Sequence, residues 1–273
     1  LIRINKNQQE AEGMPGTIRK ITGRWETPFT ARLKHFVDFT VDDLAALRNL
    51  IEYEATIEKR RDLVVDGYPY TKLSFIKDGM AARYKVLRNG RRQIVDVLIP
   101  GDVVGLPSSF HDRASFSVVA LTDMKLEVCS FDAFITACYQ RPKFALALSW
   151  LSIEHGNYAA ERIVDIGRRT PIERLAHFLL ELHGRLLTIG RAEPTAFDLP
   201  ISQEVMSDTL GLSVPHLNRM LTRLRNERLL VLSERHVQFL DIKALEVLAH
   251  YHPATLARIP TPMPMQREQK LIA

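Results

Sequence analysis

The stretch Ser202-Gln-Glu-Val-Met-Ser-Asp-Thr-Leu-Gly-Leu-Ser-Val-Pro-His-Leu-Asn-Arg-Met-Leu-Thr-Arg-Leu-Arg-Asn226 decides how this chain is read. Ser202 can cap a helix running through Val205 and Met206 to Leu210, because its hydroxyl accepts from the orphan amides of a first turn. Gly211 stops that helix, as a residue free to take positive φ. Leu212 is expected to be buried in the turn. Ser213 then caps a second helix with Pro215 in its first turn, where a missing N–H leaves nothing unsatisfied. Leu217, Met220, Leu221 and Leu224 follow at three- and four-residue steps and form its anchoring face. The opposite face carries Pro215, Arg219, Thr222 and Asn226, flanked by His216 and Arg223 on one side and Asn218 on the other.

Helix, glycine turn and helix in these proportions make a helix-turn-helix. Arginine pairs bidentately with guanine and asparagine with adenine, each contact worth about 1–3 kcal/mol of discrimination. A charged face alone is only a solvated face, and a module used only for protein contacts is the plain alternative. The neighbours raise the odds of DNA. Leu229–Ser233 and His236–Leu240 read as two short strands joined at Glu234-Arg235, which makes a wing. Asp241 can cap a last helix carrying Leu245, Val247, Leu248 and Tyr251.

Upstream, Thr170-Pro171-Ile172-Glu173 has the pattern of a capping box with proline at the first helical position. Ile172, Leu175, Ala176, Leu179 and Leu182 share one face of the helix it opens. Before it, Arg141-Pro142 starts a long helix to about Ile166. Its stripe Phe144, Leu148, Leu151, His155, Tyr158 or Ala159, and Ile163 is long enough to pack against a second copy of itself, so residues 142–166 are expected to form a dimer seam. Packing only on the chain's own sheets is the alternative. Gly167 stands as a hinge or a helix C-cap.

Residues 61–131 change character, with short β-rich runs between Gly, Asn, Asp and Pro. Asn89-Gly90 between Ala82–Leu87 and Gln93–Leu98 is the clearest hairpin signal, since both residues tolerate positive φ. Pro100-Gly101-Asp102 and Gly105 mark further turns, and several short strands in so short a span imply a small barrel or roll. Residues 40–57 read as a helix capped by Thr40, with Leu44, Leu47, Leu50 and Ile51 inward. The fold class is therefore α+β. The expected units are a flexible arm (1–29), a β-roll (30–135), a long helix with hinge (136–168), a winged helix-turn-helix (169–252) and a proline-rich flexible tail (253–273).

Composition narrows the class. A chain of 273 residues, 46% apolar and 25% charged, suits a soluble protein of two modest domains. No apolar run approaches the ~18–20 residues that span a bilayer, and the first 26 residues lack the apolar middle of a signal peptide. The net charge of +5 hints only weakly at nucleic acid. Charges over 171–252 nearly balance, but Arg219, Arg223, Arg225 and Arg228 cluster against the single Glu227 within 219–228. Cys129 and Cys138 form no C-x-x-C pair, so free thiols in a reducing cytoplasm are expected. Cys129 reads as a buried strand residue.

The order of parts resembles the Crp/Fnr family of bacterial transcription regulators. The residues that carry the resemblance are Pro100-Gly-Asp-Val-Val-Gly105, Ile166-Gly-Arg-Arg-Thr-Pro-Ile-Glu-Arg174, and above all Gln203-Glu-Val205 with Leu210-Gly-Leu-Ser-Val-Pro-His-Leu-Asn-Arg219. It spans about residues 32–250. It implies a cytoplasmic homodimer with a cyclic-nucleotide-binding-like jelly roll as sensor. Such a dimer binds two half-sites in successive major grooves of double-stranded DNA and acts through RNA polymerase, as activator or repressor. Arg219 matches the family's base-contacting arginine, Asn218 a position that contacts bases in some members, and Pro215 stands where many members carry a base-reading Glu. Arg219, Asn218, His216 and Pro215 are thus the expected base readers. Ser202, Gln203 and Ser213 match phosphate-contacting positions, and Thr222 and Arg223 join them; helix capping is the alternative role of the two serines.

Two departures bear on the sensor. Members that bind cyclic nucleotides use a Gly-Glu pair for the ribose and an Arg-Ser pair for the phosphate. Here Leu106 follows Gly105, and Ala114-Ser115 stands at the second pair, with Arg113 one place early. Cyclic AMP is therefore not expected. Members that sense oxygen carry an amino-terminal cysteine cluster, and no cysteine precedes Cys129 here, so no iron–sulfur cluster is expected either. An unidentified small effector such as a haem or metabolite stays open. His35, His111, Cys129, Cys138 and His155 could be invoked for one, each more simply read as core or surface.

Catalysis has little support. His111 is the sole histidine within 61–131 and lacks an H-x-H partner, which a cupin-type metal site would need. No phosphate loop, nucleophile elbow or zincin motif is present. The remaining rivals are an architectural DNA binder without strict site preference and an interaction module.

Overall fold

The structure is a computed structural model that describes residues 26–33, 36–106 and 108–252. Most of the expected arm, all of the tail, and His35 lie outside the described residues. Helices α1 (Pro28–Leu33) and α2 (Val41–Asn49) precede a roll of two four-stranded antiparallel sheets. The strands are β1 (Tyr53–Ile57), β2 (Asp62–Val64), β3 (Lys72–Asp78), β4 (Ala81–Val86), β5 (Arg92–Leu98), β6 (Val103–Val104), β7 (Ser117–Ala120) and β8 (Met124–Ser130). One sheet runs β1-β8-β3-β6 and the other β2-β7-β4-β5. Apolar side chains from both, among them Ile76, Leu98, Val118 and Leu126, fill the space between them.

Two expectations are corrected at this end. The helix foreseen over 40–57 stops at Asn49, and Tyr53–Ile57 becomes β1, paired antiparallel to β8. Its Thr40 cap and capping box with Asp43 are present. The tail of the expected helix is Tyr53-Glu-Ala-Thr-Ile57, whose aromatic and β-branched residues suit a half-buried strand, and the sheet edge claims them. Thr27, Pro28 and Phe29, assigned to the arm, belong to a packed cap. Phe29 is buried and its ring lies 4.4 Å from that of Phe75.

The hairpin at Asn89-Gly90 forms, but only Gly90 takes positive φ (81°). Leu87 N–H donates to Arg91 O and Gly90 N–H to Leu87 O, which makes a wider turn than the two-residue one. Cys129 is fully buried in β8, and burial pushes its thiol up to about 12.

Helix α3 (Phe131–Gln140) leads through Arg141 into α4 (Pro142–Gly167), 26 residues long. Gly167 is the last residue of α4 and is not a left-handed cap; Arg168 closes the helix with φ −135°. Then come α5 (Pro171–Thr188), β9 (Ala196–Asp198), α6 (Gln203–Leu210), α7 (Val214–Asn226), β10 (Leu230–Ser233), β11 (His236–Phe239) and α8 (Ile242–Ala249). The strands β10-β11-β9 form the wing sheet. The foreseen capping box starts α5, where Thr170 N–H donates to Glu173 Oε2 at 2.8 Å. One apolar cluster runs from Met80, Ala82, Ile94, Val97 and Ile99 of the roll into α5, α6, α7 and α8, so roll and carboxy-terminal unit share a core.

Most of the stripe foreseen as a dimer seam packs within the chain instead. Phe144, Leu148 and Leu151 are buried within the chain, and Phe144 packs its ring near Phe39 and Phe134. His155 faces the roll, with Nδ1 2.9 Å from Asp96 Oδ2. These four residues are the intramolecular face of α4. Of the rest of the expected stripe, Tyr158 is buried, whereas its alternative Ala159 is exposed and Ile163 is 73% exposed. The helix has a second apolar row, and the roll takes the bulkier one because Phe144, Trp150 and Leu151 remove more surface from water.

Candidate nucleic-acid interface

Ser202 caps α6, its Oγ accepting from Val205 N–H, and Gly211 ends it in the left-handed region at φ 65°. Ser213 caps α7 by accepting from His216 N–H. Both hydroxyls therefore hold the helices in place, and both residues are exposed. Leu217 and Leu224 are fully buried, Leu221 nearly so, and Met220 half-buried, as the spacing predicts. Leu212 is half-buried in the turn.

The opposite face of α7 is bare. Pro215, Asn218, Arg219, Thr222 and Asn226 are exposed, and His216 is half-buried. Arg219 forms no salt bridge or hydrogen bond within the described residues, so its guanidinium has five donors to offer. Arg223, by contrast, is held by Glu227 four residues on, with Nε 2.7 Å from Oε1.

A groove of about 570 Å³ runs between α6, α7 and the wing. Ser202, Gln203, Asn218, Thr222, Arg225 and Arg235 line it. The structure thus brings four of the foreseen contact residues to one concavity and adds Arg225, read from the sequence only as part of a basic cluster, and Arg235, read only as part of the wing turn. Arg225 is anchored to the wing, its guanidinium donating to Leu232 O. Arg235 sits at the wing tip, where Glu234 and Arg235 take φ 50° and 98°. Ser233 and His236 are paired, so these two form the whole turn. A two-residue turn needs positive φ at both positions and favours Asn-Gly. Non-glycine residues there store strain, which is a mark of functional placement. The Glu-Arg sequence itself was the available signal.

The head is fastened from below by Arg174, whose guanidinium donates to Arg169 O, Leu210 O and Ile166 O. One side chain ties the end of α4, the start of α5 and the end of α6. Elsewhere, Gly105 holds φ 103°, and a Cβ there would strike Lys72 O and the Tyr70 ring. Leu106, which follows it, and Ala114 are both buried. His111 lies exposed in the adjacent loop. Among the described residues, no group of three or more His, Cys, Asp or Glu could hold a metal ion, and no helix is long and apolar enough to cross a membrane.

Residues 173–248 match the Crp-like helix-turn-helix domain, and residues 55–140 match the cyclic nucleotide-binding domain. The nitrogen fixation regulation protein FixK of Bradyrhizobium diazoefficiens is 31% identical over 175 residues, covering 64% of this chain and 72% of that protein. This chain belongs to the Crp/Fnr family of transcription regulators. The transcriptional activatory protein AadR of Rhodopseudomonas palustris is also 31% identical, over 63% of this chain and 71% of its own. The solved structure of FixK2 from Bradyrhizobium japonicum superposes with a TM-score of 0.65 at 26% identity, over 71% of this chain and 96% of that one. Helices α6 and α7 thus lie within the matched helix-turn-helix domain, in a family whose members are transcription regulators and not enzymes.

Proposed function

We propose that this regulator acts as a homodimer on a two-fold symmetric operator, with α7 of each copy in a major groove. The observation that carries the reading is Arg219, exposed and unpartnered on a helix whose other face is fixed by Leu217 and Leu224. Arg219, Asn218, His216 and Pro215 face the base edges. Ser202, Gln203, Ser213 and Thr222 meet phosphates, joined by Arg223 once it leaves Glu227, and Arg225 and Arg235 extend that contact along the groove.

The second copy docks on the exposed row of α4. Leu146, Ser149, Ile153, Gly156, Ala160, Ile163 and Gly167 follow at alternating three- and four-residue steps and are all exposed. That is a heptad seam with small residues where helices approach closely. The dimer acts through RNA polymerase in the cytoplasm. The roll takes no cyclic nucleotide, a reading supported by Tyr70 against Gly105 and by Leu106 where a ribose would need an acceptor. It holds no iron–sulfur cluster, since Cys129 is packed away in β8.

The test is selection of genomic fragments with the purified protein, then titration of the selected operator by fluorescence anisotropy. Arg219→Ala should weaken specific binding by about 5- to 150-fold, the loss of one bidentate contact, with its thermal midpoint unchanged. Unchanged affinity would overturn the assignment.

A further inference from the structure

The floor of the roll and the reading head meet through a charged cluster that neither the core nor the DNA face requires. Asp102 is fully buried and takes Arg32 from α1 and Arg185 from α5, the latter at 2.7 Å. Asp96, within β5, takes Arg83 at 2.6 Å and His155 of α4 at 2.9 Å, and lies 3.7 Å from Arg185. His155 Nε2 lies 3.6 Å from Asp102, and Glu181 of α5 holds Arg185 at 3.2 Å. Arg32 also reaches Glu154 of α4. Burial would raise Asp96 and Asp102, but the cationic neighbours more than offset it and hold both carboxyls below the usual range. Nearer the surface, β5 grips α6 directly. Arg92 Nε donates to Asp208 at 2.9 Å, and Gln93 Nε2 donates to the carbonyls of Asp208 and Thr209.

Buried ion pairs add little stability over apolar packing, because desolvation consumes the Coulombic gain. Their attested use is to select one geometry. The shared apolar cluster can hold roll and head together at several angles; a fork of guanidinium and carboxylate bonds tolerates only one. We propose that β5 and the turn that follows it set the angle of the reading head: Asp96 and Asp102 fix α5 through Arg185, and Arg92 and Gln93 fix α6 through Asp208. In a dimer that angle fixes the distance between the two α7 helices. These residues touch no DNA, yet they determine which half-site spacing is bound. The inference rests on the dimeric reading above.

The experiment uses the full chain and its selected operator, with central spacers lengthened or shortened by one or two base pairs. The wild type is expected to lose about tenfold or more per altered base pair, since each step rotates the half-sites out of phase. Arg92→Ala with Gln93→Ala removes only the partly exposed tie and should compress that discrimination to about threefold, while affinity for the best spacing falls less. The swap Arg92→Asp with Asp208→Arg should restore the sharp dependence. Arg185→Met should flatten it further. Variants as sharply dependent as the wild type would overturn the inference. So would a uniform loss at every spacing that tracks a lowered thermal midpoint, which marks a merely structural role. A wild type that is monomeric or selects no operator would instead bring down the dimeric reading, and this inference with it.

Discussion

Helices α4 and α7 are both amphipathic, both anchored by a row of buried apolar side chains, and they leave opposite kinds of surface bare. On α7 the uncovered face is Arg219, Asn218 and Thr222; on α4 it is Leu146, Ile153 and Ile163. An anchored helix that presents donors to water suits a charged polymer, which offers acceptors at fixed spacing. An anchored helix that presents an apolar row to water suits a second copy of itself, where each residue meets its own kind across a two-fold axis.

The largest expected effect separates the two rows of α4. Ile153→Asp combined with Ile163→Asp should give a folded monomer by sedimentation and lower operator affinity by about 10²–10⁴-fold, the advantage of linking two half-site contacts. Leu151→Ala should do the reverse. It should leave the mass unchanged and destabilise the fold by about 2–5 kcal/mol in denaturant titration, because Leu151 is buried in the roll-facing core. If Leu151→Ala dissociated the protein instead, the intramolecular face would be misassigned.

Next in size is the polar face of α7. Thr222→Ala should weaken all DNA sequences alike, by less than the loss expected of Arg219→Ala at the selected site. A Thr222 effect as sequence-dependent as that of Arg219 would move it from the phosphate to the base set.

These two helices also show how far the sequence could be read. On α6 and α7 every signal agreed: a serine cap for each, a glycine stop between them, and on α7 a single apolar row that had to face inward. On α4 the period was legible but the face was not, because two apolar rows share one helix and only the packed roll decides between them. The stripe foreseen as a dimer seam is therefore, apart from its exposed members, the face that packs within the chain. Strand β1 was hidden similarly, since Tyr53–Ile57 continues the helical spacing of α2 until β8 offers it an edge. The charge cluster around Asp102 was invisible, because its members lie far apart in sequence and meet only in the fold.

A smaller effect tests the cluster by pH. Asp96 and Asp102 are held below their ordinary values, so they contribute stability that is present above the usual carboxylate pKa near about 4 and is lost as pH falls through the depressed values. Asp102→Asn should lower stability at neutral pH, by leaving Arg32 and Arg185 short of a counter-charge. It should also lose less further stability between about pH 5 and pH 3 than the wild type does. An unchanged acid slope would mean that Asp102 does not report on the cluster.

The smallest effect belongs to the wing, and it sharpens the contrast between a residue kept for structure and one kept for contact. Glu234 and Arg235 both hold positive φ in a turn that Asn-Gly would adopt without strain. If the pair were there only to close the hairpin, Asn-Gly would serve better, so at least one side chain has another use. Arg235 lines the groove beside Ser202 and Gln203, whereas Glu234 brings a negative charge to the same rim. Glu234→Asn alone should therefore raise the thermal midpoint by about 2–4 °C per kcal/mol of strain relieved and leave DNA affinity unchanged or higher. Arg235→Gly should also stabilise the turn, but it should weaken binding at every sequence and reduce the salt dependence by about one phosphate contact. A wing in which both substitutions stabilise and neither alters the salt slope would be purely structural. The strain at Arg235 would then need a cause other than DNA.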